Sequence, residues 1–557
     1  MVYLADDGEN GTHTETSEKS AELVRVKNPD FVVHKIFLDA YPQEVNASGE
    51  SYPLAKNRVL NLLRNGVLFF DYSGHGGYNA ITNESILNLK DIEGMTNRNH
   101  AFWLFATCNF AQCDAGKRSA AETALLNPKG GAIGVFAATR TVYATPNTEL
   151  NRSVCDTLFG HSDVFHYTMT LGEATAVGKN RLNNDDNKLA YVLLGDPAMR
   201  LNYPTDYQVQ TTTDIDTLNA LNEQHVEGRI VDEDNLLVSD FNGRVDITIY
   251  DKMQSIPTRD NDEAGGEPRV VEYNDYPSTI FSGATDVKDG LFNYTFMVPK
   301  DIRYNFGNGR IVYYAVTADS LETVEAVGHY EDFTIGGTGS ILAADTEGPQ
   351  MEIYLNTKAF RDGDKTYATP RFFADLYDEN GINTAGAGIG HDLMLIIDDD
   401  PKQIYSLNEY FTAANNSYQA GQVSYLMEEL PDGQHSLSFR AWDLLNNSTT
   451  KTLSFIVEAG LDPSICSVTT YPNPVQAQGI VNLTVNYDQP DELLQTELYL
   501  FNTGGQMVYR HLQDNPDAVS INLPSLGLQP GIYVYCVKIK SASSKYSTAS
   551  GKIIVTR

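Results

Sequence analysis

Phe69-Phe70-Asp71-Tyr72-Ser73-Gly74-His75-Gly76-Gly77 begins as an apolar strand and ends in a histidine set between glycines. Further along, Phe102-Trp103-Leu104-Phe105-Ala106-Thr107-Cys108-Asn109 begins the same way and ends in a cysteine. Runs without polar alternation belong to strands covered on both faces, as in a parallel sheet with helices on each side. In such a sheet reactive groups gather beyond the carboxyl ends of neighbouring strands. If these two strands are adjacent, His75 and Cys108 face one crevice.

Working outward, residues 1–205 alternate short apolar runs with helical patterns. Val2–Ala5, Phe31–Leu38, Gly66–Tyr72, Ala101–Ala106 and Gly131–Ala138 read as strands. Ser17–Lys27, Leu54–Arg64, Ser119–Leu126 and Glu149–Phe159 read as helices. The spacing fits βαβ crossovers and predicts an α/β domain, a mostly parallel sheet flanked by helices. Past Tyr203-Pro204 the pattern changes to short alternating strands between Asn, Asp and Gly turns, such as Val245–Tyr250 and Gly309–Ala318. Turn signals every 8–12 residues are the mark of sandwiches. Three all-β units are expected, over 206–340, 345–460 and 465–557, with Gly336–Gly339 as a linker.

The chemistry follows from the two strand ends. A thiol must become a thiolate to attack a carbonyl, and an imidazole within reach takes its proton. The oxyanion needs N–H donors, for which Gly76 and Cys108 are the candidates. Glycines beside the histidine let a substrate approach the backbone closely. Each residue alone has a plainer reading, a packed cysteine and a structural histidine. It is the pairing that points to a dyad.

The 557 residues suffice for several domains, and 41% apolar content allows sizeable cores. A net charge of −33 repels phosphate backbones and anionic head groups, so nucleic acid is excluded as a partner. The acidic surplus keeps an exported protein soluble or binds calcium; no loop has a ligand spacing that names calcium ligands. Five cysteines at irregular spacing make neither a disulfide framework nor a zinc signature. Cys113 and Cys155 read as packing residues. No stretch approaches the ~18 apolar residues of a membrane span. The first residues lack a signal peptide and open inside a strand, so an upstream part carrying that signal is expected to be missing.

Ser73-Gly74-His75-Gly76, Ala106-Thr107-Cys108-Asn109 and Leu193-Leu194-Gly195-Asp196-Pro197-Ala198-Met199-Arg200-Leu201 together resemble the gingipain-like (C25-type) cysteine peptidases over most of residues 1–205. The resemblance implies a caspase-like fold with His75 and Cys108 as the catalytic pair and no cofactor required for the chemistry. Ala5-Asp6-Asp7-Gly8-Glu9-Asn10 lies where that family places acidic residues near the histidine. Asp7 is then a candidate third member orienting His75, against a solvated turn or a calcium cluster with Asp6. Glu18 falls roughly where Arg-specific gingipains carry the acid of their specificity pocket. An exposed charge on a helix face is its ordinary reading, and Arg specificity is not inferred.

Asp378–Thr384, Gly388–Asp392, Gly433–Leu437 and Ala441–Ser448 are similar to the PorU-type sortases of the type IX secretion system. Read as residues, these are turns and strand edges, with His391 and His435 structural. Tyr471-Pro472-Asn473-Pro474, Asn502–Val508, Leu528–Tyr533 and Lys552–Val555 resemble the C-terminal sorting domain of type IX cargo. The combined resemblance implies a protein at the cell surface, associated with the outer membrane of a Bacteroidota-type cell. Its implied partners are proteins bearing C-terminal sorting domains, other type IX surface components and lipopolysaccharide. The expected activity is cleavage of sorting signals through a Cys108 thioacyl intermediate, with transfer to a lipopolysaccharide anchor. A secreted gingipain-type endopeptidase and a non-catalytic adhesin are the alternatives.

Overall fold

Six strands form one sheet in the order Tyr191–Gly195, Ala132–Ala138, Ala101–Ala106, Phe69–Ser73, Val2–Ala5 and His34–Phe37. All neighbours are parallel except the edge strand Tyr191–Gly195, which runs antiparallel to Ala132–Ala138. The computed structural model describes the chain except residues 47–48, 161–168, 183–185, 262–268, 318–322, 340–344, 386–389, 402, 459, 489–494, 515–517, 523–525, 527, 541–545 and 557.

The apolar runs are buried on both faces because successive side chains leave the strand in opposite directions. Tyr3, Phe69, Phe102 and Phe136 point into one cluster with Val24, Leu150, Val154 and Leu171, from the helices Thr12–Lys27, Ala144–Phe159 and Leu171–Arg181. Leu4, Phe70, Trp103 and Val135 point into the other with Val59, Leu63, Ala121 and Ala124, from Pro53–Asn65 and Ala120–Leu126. Every strand residue of Val2–Ala5 and Ala101–Ala106 is buried, which is why no polar alternation was visible in them.

All nine expected strands and helices of this region form, with ends shifted by a few residues. Elements without a reading in sequence include one further helix and the edge strand of the main sheet. The helix Leu171–Arg181 is announced by a capping box, Thr170 and Glu173 satisfying each other's backbone N–H groups. Tyr191–Gly195 closes the sheet edge.

Downstream the chain is β-rich. Residues 206–340 build a seven-stranded sheet, with Thr279–Val287 and Leu291–Met297 as its edge strands, and a smaller three-stranded one. Residues 345–460 build a four-stranded and a five-stranded sheet, and 465–557 a three-stranded and a five-stranded one. Buried side chains of 206–340 and 345–460 join in a single apolar cluster, where Phe281 and Ala413 both belong. The last unit has its own core around Leu483, Leu498 and Val537. Gly336 and Gly337, expected in a linker, lie instead in the strand Thr334–Thr338, which pairs with Thr217–Ala220. Their positive φ angles, 158° and 72°, explain the glycines. Among the described residues no helix is long and apolar enough to cross a membrane.

An arm leaves the first β unit. Gln254–Pro257 and Glu272–Asp275 pair antiparallel as a two-stranded sheet, and this pair rests on the α/β domain, with Tyr273 edge-on to Phe37 at 4.8 Å.

Candidate active site

Val2–Ala5, Phe69–Ser73 and Ala101–Ala106 are neighbours, and their carboxyl ends come out at one edge of the sheet. Ala5 is registered with Ser73, and Ser73 with Ala106. Asp7, His75 and Cys108 each follow two residues later, so all three leave the sheet at one level.

The His75 backbone is fixed on both sides. Its N–H donates to Asp6 Oδ2 at 2.8 Å, and its carbonyl accepts from Tyr72 Oη at 2.6 Å and from the Thr82 N–H at 3.0 Å. Burial pushes the Asp6 carboxyl well above the usual carboxylate range, although the His75 N–H opposes this. A side chain at Gly74 would meet Asp6 Cβ at 2.5 Å, so only glycine lets the strand turn here. At Gly76 a Cβ would come 2.5 Å from Thr107 Oγ1. Gly76 also pairs with Ile81 in a short antiparallel ladder.

The His75 ring is partly open to solvent. Its Nε2 lies 3.7 Å from Glu9 Oε1, and the ring of His13 stands edge-on to it at 5.2 Å. His13 is buried in the first turn of the helix Thr12–Lys27, and burial lowers its pKa to about 4, so it stays neutral at ordinary pH.

Cys108 is half-buried. Its Sγ lies 3.4 Å from the Val142 N–H and 3.5 Å from the Val142 carbonyl. Asn109, at a φ of 55°, turns the chain so that its N–H meets the Arg140 carbonyl at 3.2 Å. The cysteine loop is thereby tied to the loop that follows Ala132–Ala138.

Other expected residues fall elsewhere. Asp7 is not the acid beside the histidine ring. It is buried and accepts a hydrogen bond from Tyr52 Oη, and Glu9 holds the position expected of it. Glu18 is not a solvated helix charge. Lys35 Nζ stands 2.8 Å from its carboxylate, the Asn274 N–H donates to it at 3.2 Å, and burial raises its pKa. Cys113, expected to pack, is exposed, with Sγ 3.2 Å from the Ala111 carbonyl. Cys155 is core as expected, 4.0 Å from Asp71 Oδ2. His391 and His435 are held by Asp301 at 2.6 Å and Asp398 at 2.7 Å, far along the chain from the dyad. Gly388-Ile389, part of one quoted segment, lie outside the described residues.

Glu9 and His13 went unread. The signal was present: Gly8, Asn10 and Gly11 are turn formers, and a turn just before a helix can carry an acid back over a neighbouring strand end.

Two sets of carboxylates converge among the described residues. In Asp6, Asp7 and Glu84 the first two already accept bonds from His75 and Tyr52. Asp345, Asp378 and Asp443 offer oxygens of the kind a hard cation such as calcium takes, and Asp443 accepts from Leu445, Asn447 N–H and Asn447 Nδ2.

Residues 1–202 match the family model for peptidase family C25, and residues 469–556 that for the secretion system C-terminal sorting domain. Among solved structures, dimeric latent PorU from Porphyromonas gingivalis is 25% identical, with 97% of this chain and 49% of that chain covered and a TM-score of 0.31. This chain thus spans about half the length of that one. The Arg-specific cysteine proteinase gingipain R is 15% identical over 59% of this chain and 66% of its own, with a TM-score of 0.31. Comparison with the curated proteins finds no match.

Proposed function

We propose that this chain, whose residues 1–202 match the model for peptidase family C25, is a gingipain-like, cell-surface cysteine peptidase that cleaves C-terminal sorting signals from type IX secretion cargo. The observation that supports it most is the shared register of the strands that end in His75 and Cys108. The sorting-domain match at 469–556 supports export to the cell surface, and outer-membrane association is part of the proposal.

In this reading Cys108 Sγ gives its proton to His75 and attacks the scissile carbonyl carbon. The oxyanion is met by backbone N–H groups, those of Gly76 and Cys108. The C–N bond then breaks, His75 returns the proton to the leaving amine, and the acyl part remains on Cys108 as a thioester. Glu9, 3.7 Å from Nε2, orients the ring between the two transfers. Water entering the thioester gives hydrolysis, and an amine of a lipopolysaccharide-type anchor gives transfer.

The test is mass spectrometry of a cargo protein bearing a sorting domain, incubated with the wild type or Cys108→Ala, with and without an added amine. Cleavage by the wild type alone, with an amine adduct at the new C-terminus, is expected. Cleavage without an adduct makes the chain a gingipain-type endopeptidase. Cleavage that survives Cys108→Ala removes the dyad.

A further inference from the structure

Glu9, Asn10 and Gly11 have φ angles of 60°, 53° and 73°, three successive residues in the left-handed region. Side-chain-bearing residues avoid this region, and a run of them persists only where neighbouring structure dictates it. The segment matters because it carries Glu9 to the His75 ring. Glu9 and Asn10 are themselves exposed; the Glu9 carbonyl accepts from the Thr12 N–H and from Thr12 Oγ1 at 2.7 Å, and the buried flanks of the turn are Asp7 and Gly11.

Both flanks are held by the arm of the first β unit. At the far flank, Val271 Cγ2 fills the space where a Gly11 side chain would stand, and Val271 is itself buried. At the near flank, Asn261 Nδ2 donates to Tyr52 Oη at 3.2 Å, and that hydroxyl donates to Asp7. The arm is fastened independently: the Asp39 carboxylate accepts from the N–H groups of Asn261 at 2.7 Å and Asp260 at 3.1 Å, and Arg269 pairs with Glu15.

We propose that this arm is a positioning element of the peptidase site, with Val271 its key residue: it pins the strained Asp7–Gly11 turn so that Glu9 stays on the His75 imidazole. The proposal rests on the dyad reading given above. The groups that face His75 are Glu9, the neutral His13 and the Asp6 carboxyl at its backbone. Of these, Glu9 is the one carried by a turn whose two flanks the arm contacts. The β unit then tunes the dyad that the α/β domain carries.

The test reads the thiol directly. Cys108 alkylation by iodoacetamide is followed from about pH 5 to 9 in the full chain, since the thiolate is the species that reacts. Cys108→Ala supplies the background from the other cysteines. Val271→Ala is expected to slow the reaction below neutral pH about threefold, the scale of one exposed ion pair. Glu9→Gln is expected to slow it equally, and Val271→Ala to add little in the Glu9→Gln background. An arm that serves only as an interface lowers Tm in both backgrounds and leaves the profile where it was, which overturns the proposal. Equal factors for Val271→Ala in both backgrounds overturn it too. If His75→Gln leaves the profile unchanged, the dyad itself is wrong, and the proposal falls with it for that separate reason. Should Val271→Ala lower Tm severely, Asn261→Ala tests the other flank with the same expectations.

Discussion

His75 and Cys108 each stand two residues beyond a registered pair, Ser73 and Ala106, of one parallel ladder. Adjacent strands lie about 4.8 Å apart, so groups that leave them at one level start within a side chain's length of each other. The sheet therefore supplies the proximity, and the loops only have to aim the side chains.

That arrangement predicts a sharp division of effects. Cys108→Ala should abolish cleavage, and His75→Gln should lower kcat by about 10²–10⁴ with little change in KM. Both proteins should unfold close to the wild-type temperature, because His75 is exposed and Cys108, at the margin of one apolar cluster, is only half-buried. Steady-state kinetics with thermal melts checks this, and a large drop in Tm for either would show a structural residue instead.

Glycine at position 74 is a steric requirement. Gly74→Ala places a methyl 2.5 Å from Asp6 Cβ and against Tyr72. A loss of about 1–3 kcal/mol is expected from the overlap, together with slower cleavage as the Asp6–His75 bond shifts. At Gly77 the same methyl finds only Asn79 Oδ1 at 3.7 Å. Gly77→Ala should keep wild-type stability in denaturant titrations.

Glu18 answers for stability, not specificity. Its partner Lys35 has a side chain only 2% exposed and keeps a second carboxylate, Glu22, at 2.7 Å. The Asn274 carbonyl also accepts from this ammonium at 2.6 Å, and removing one of its two carboxylates should cost about 1–3 kcal/mol. Glu18→Gln is accordingly expected to lower Tm and leave the ratio of cleavage after Arg and after Lys unchanged. A change in that ratio at constant Tm would return Glu18 to a substrate pocket.

Asp71, wholly buried on the histidine strand, makes stability depend on pH. Burial raises its pKa from 3.8 to about 8, opposed by the bond from Asn151 Nδ2 at 2.6 Å. The folded chain thus holds a proton that the unfolded chain releases. The contribution is fully present below about pH 4 and is lost as pH climbs towards 8, at no more than about 1.4 kcal/mol per pH unit. Asp71→Asn keeps an acceptor for Asn151 and removes the titration, so its Tm should fall less than the wild type's between about pH 5 and 8. Parallel curves for the two proteins would contradict the assignment.

Some of this was written in the sequence. Phe69–Ser73 and Ala101–Ala106 declare themselves as doubly buried strands, since a segment covered on both faces has to be apolar throughout. His75 and Cys108 follow these strands in the chain, so they inherit the position. Other assignments depended on partners distant in sequence. Asp7 and Glu9 are both acids of one turn, and the left-handed backbone at Glu9 and Asn10 decides which of them meets the ring. Glu18 sits on a helix whose pattern implies solvent, yet Lys35 and Asn274 cover it. Asn274 is more than 250 residues away, and no local pattern announces it. The sequence by itself determined which segments must be buried and which reactive groups end them, because burial acts on composition and period. The tertiary structure alone decided which charges meet, because a charge finds its partner through contacts made across the whole fold.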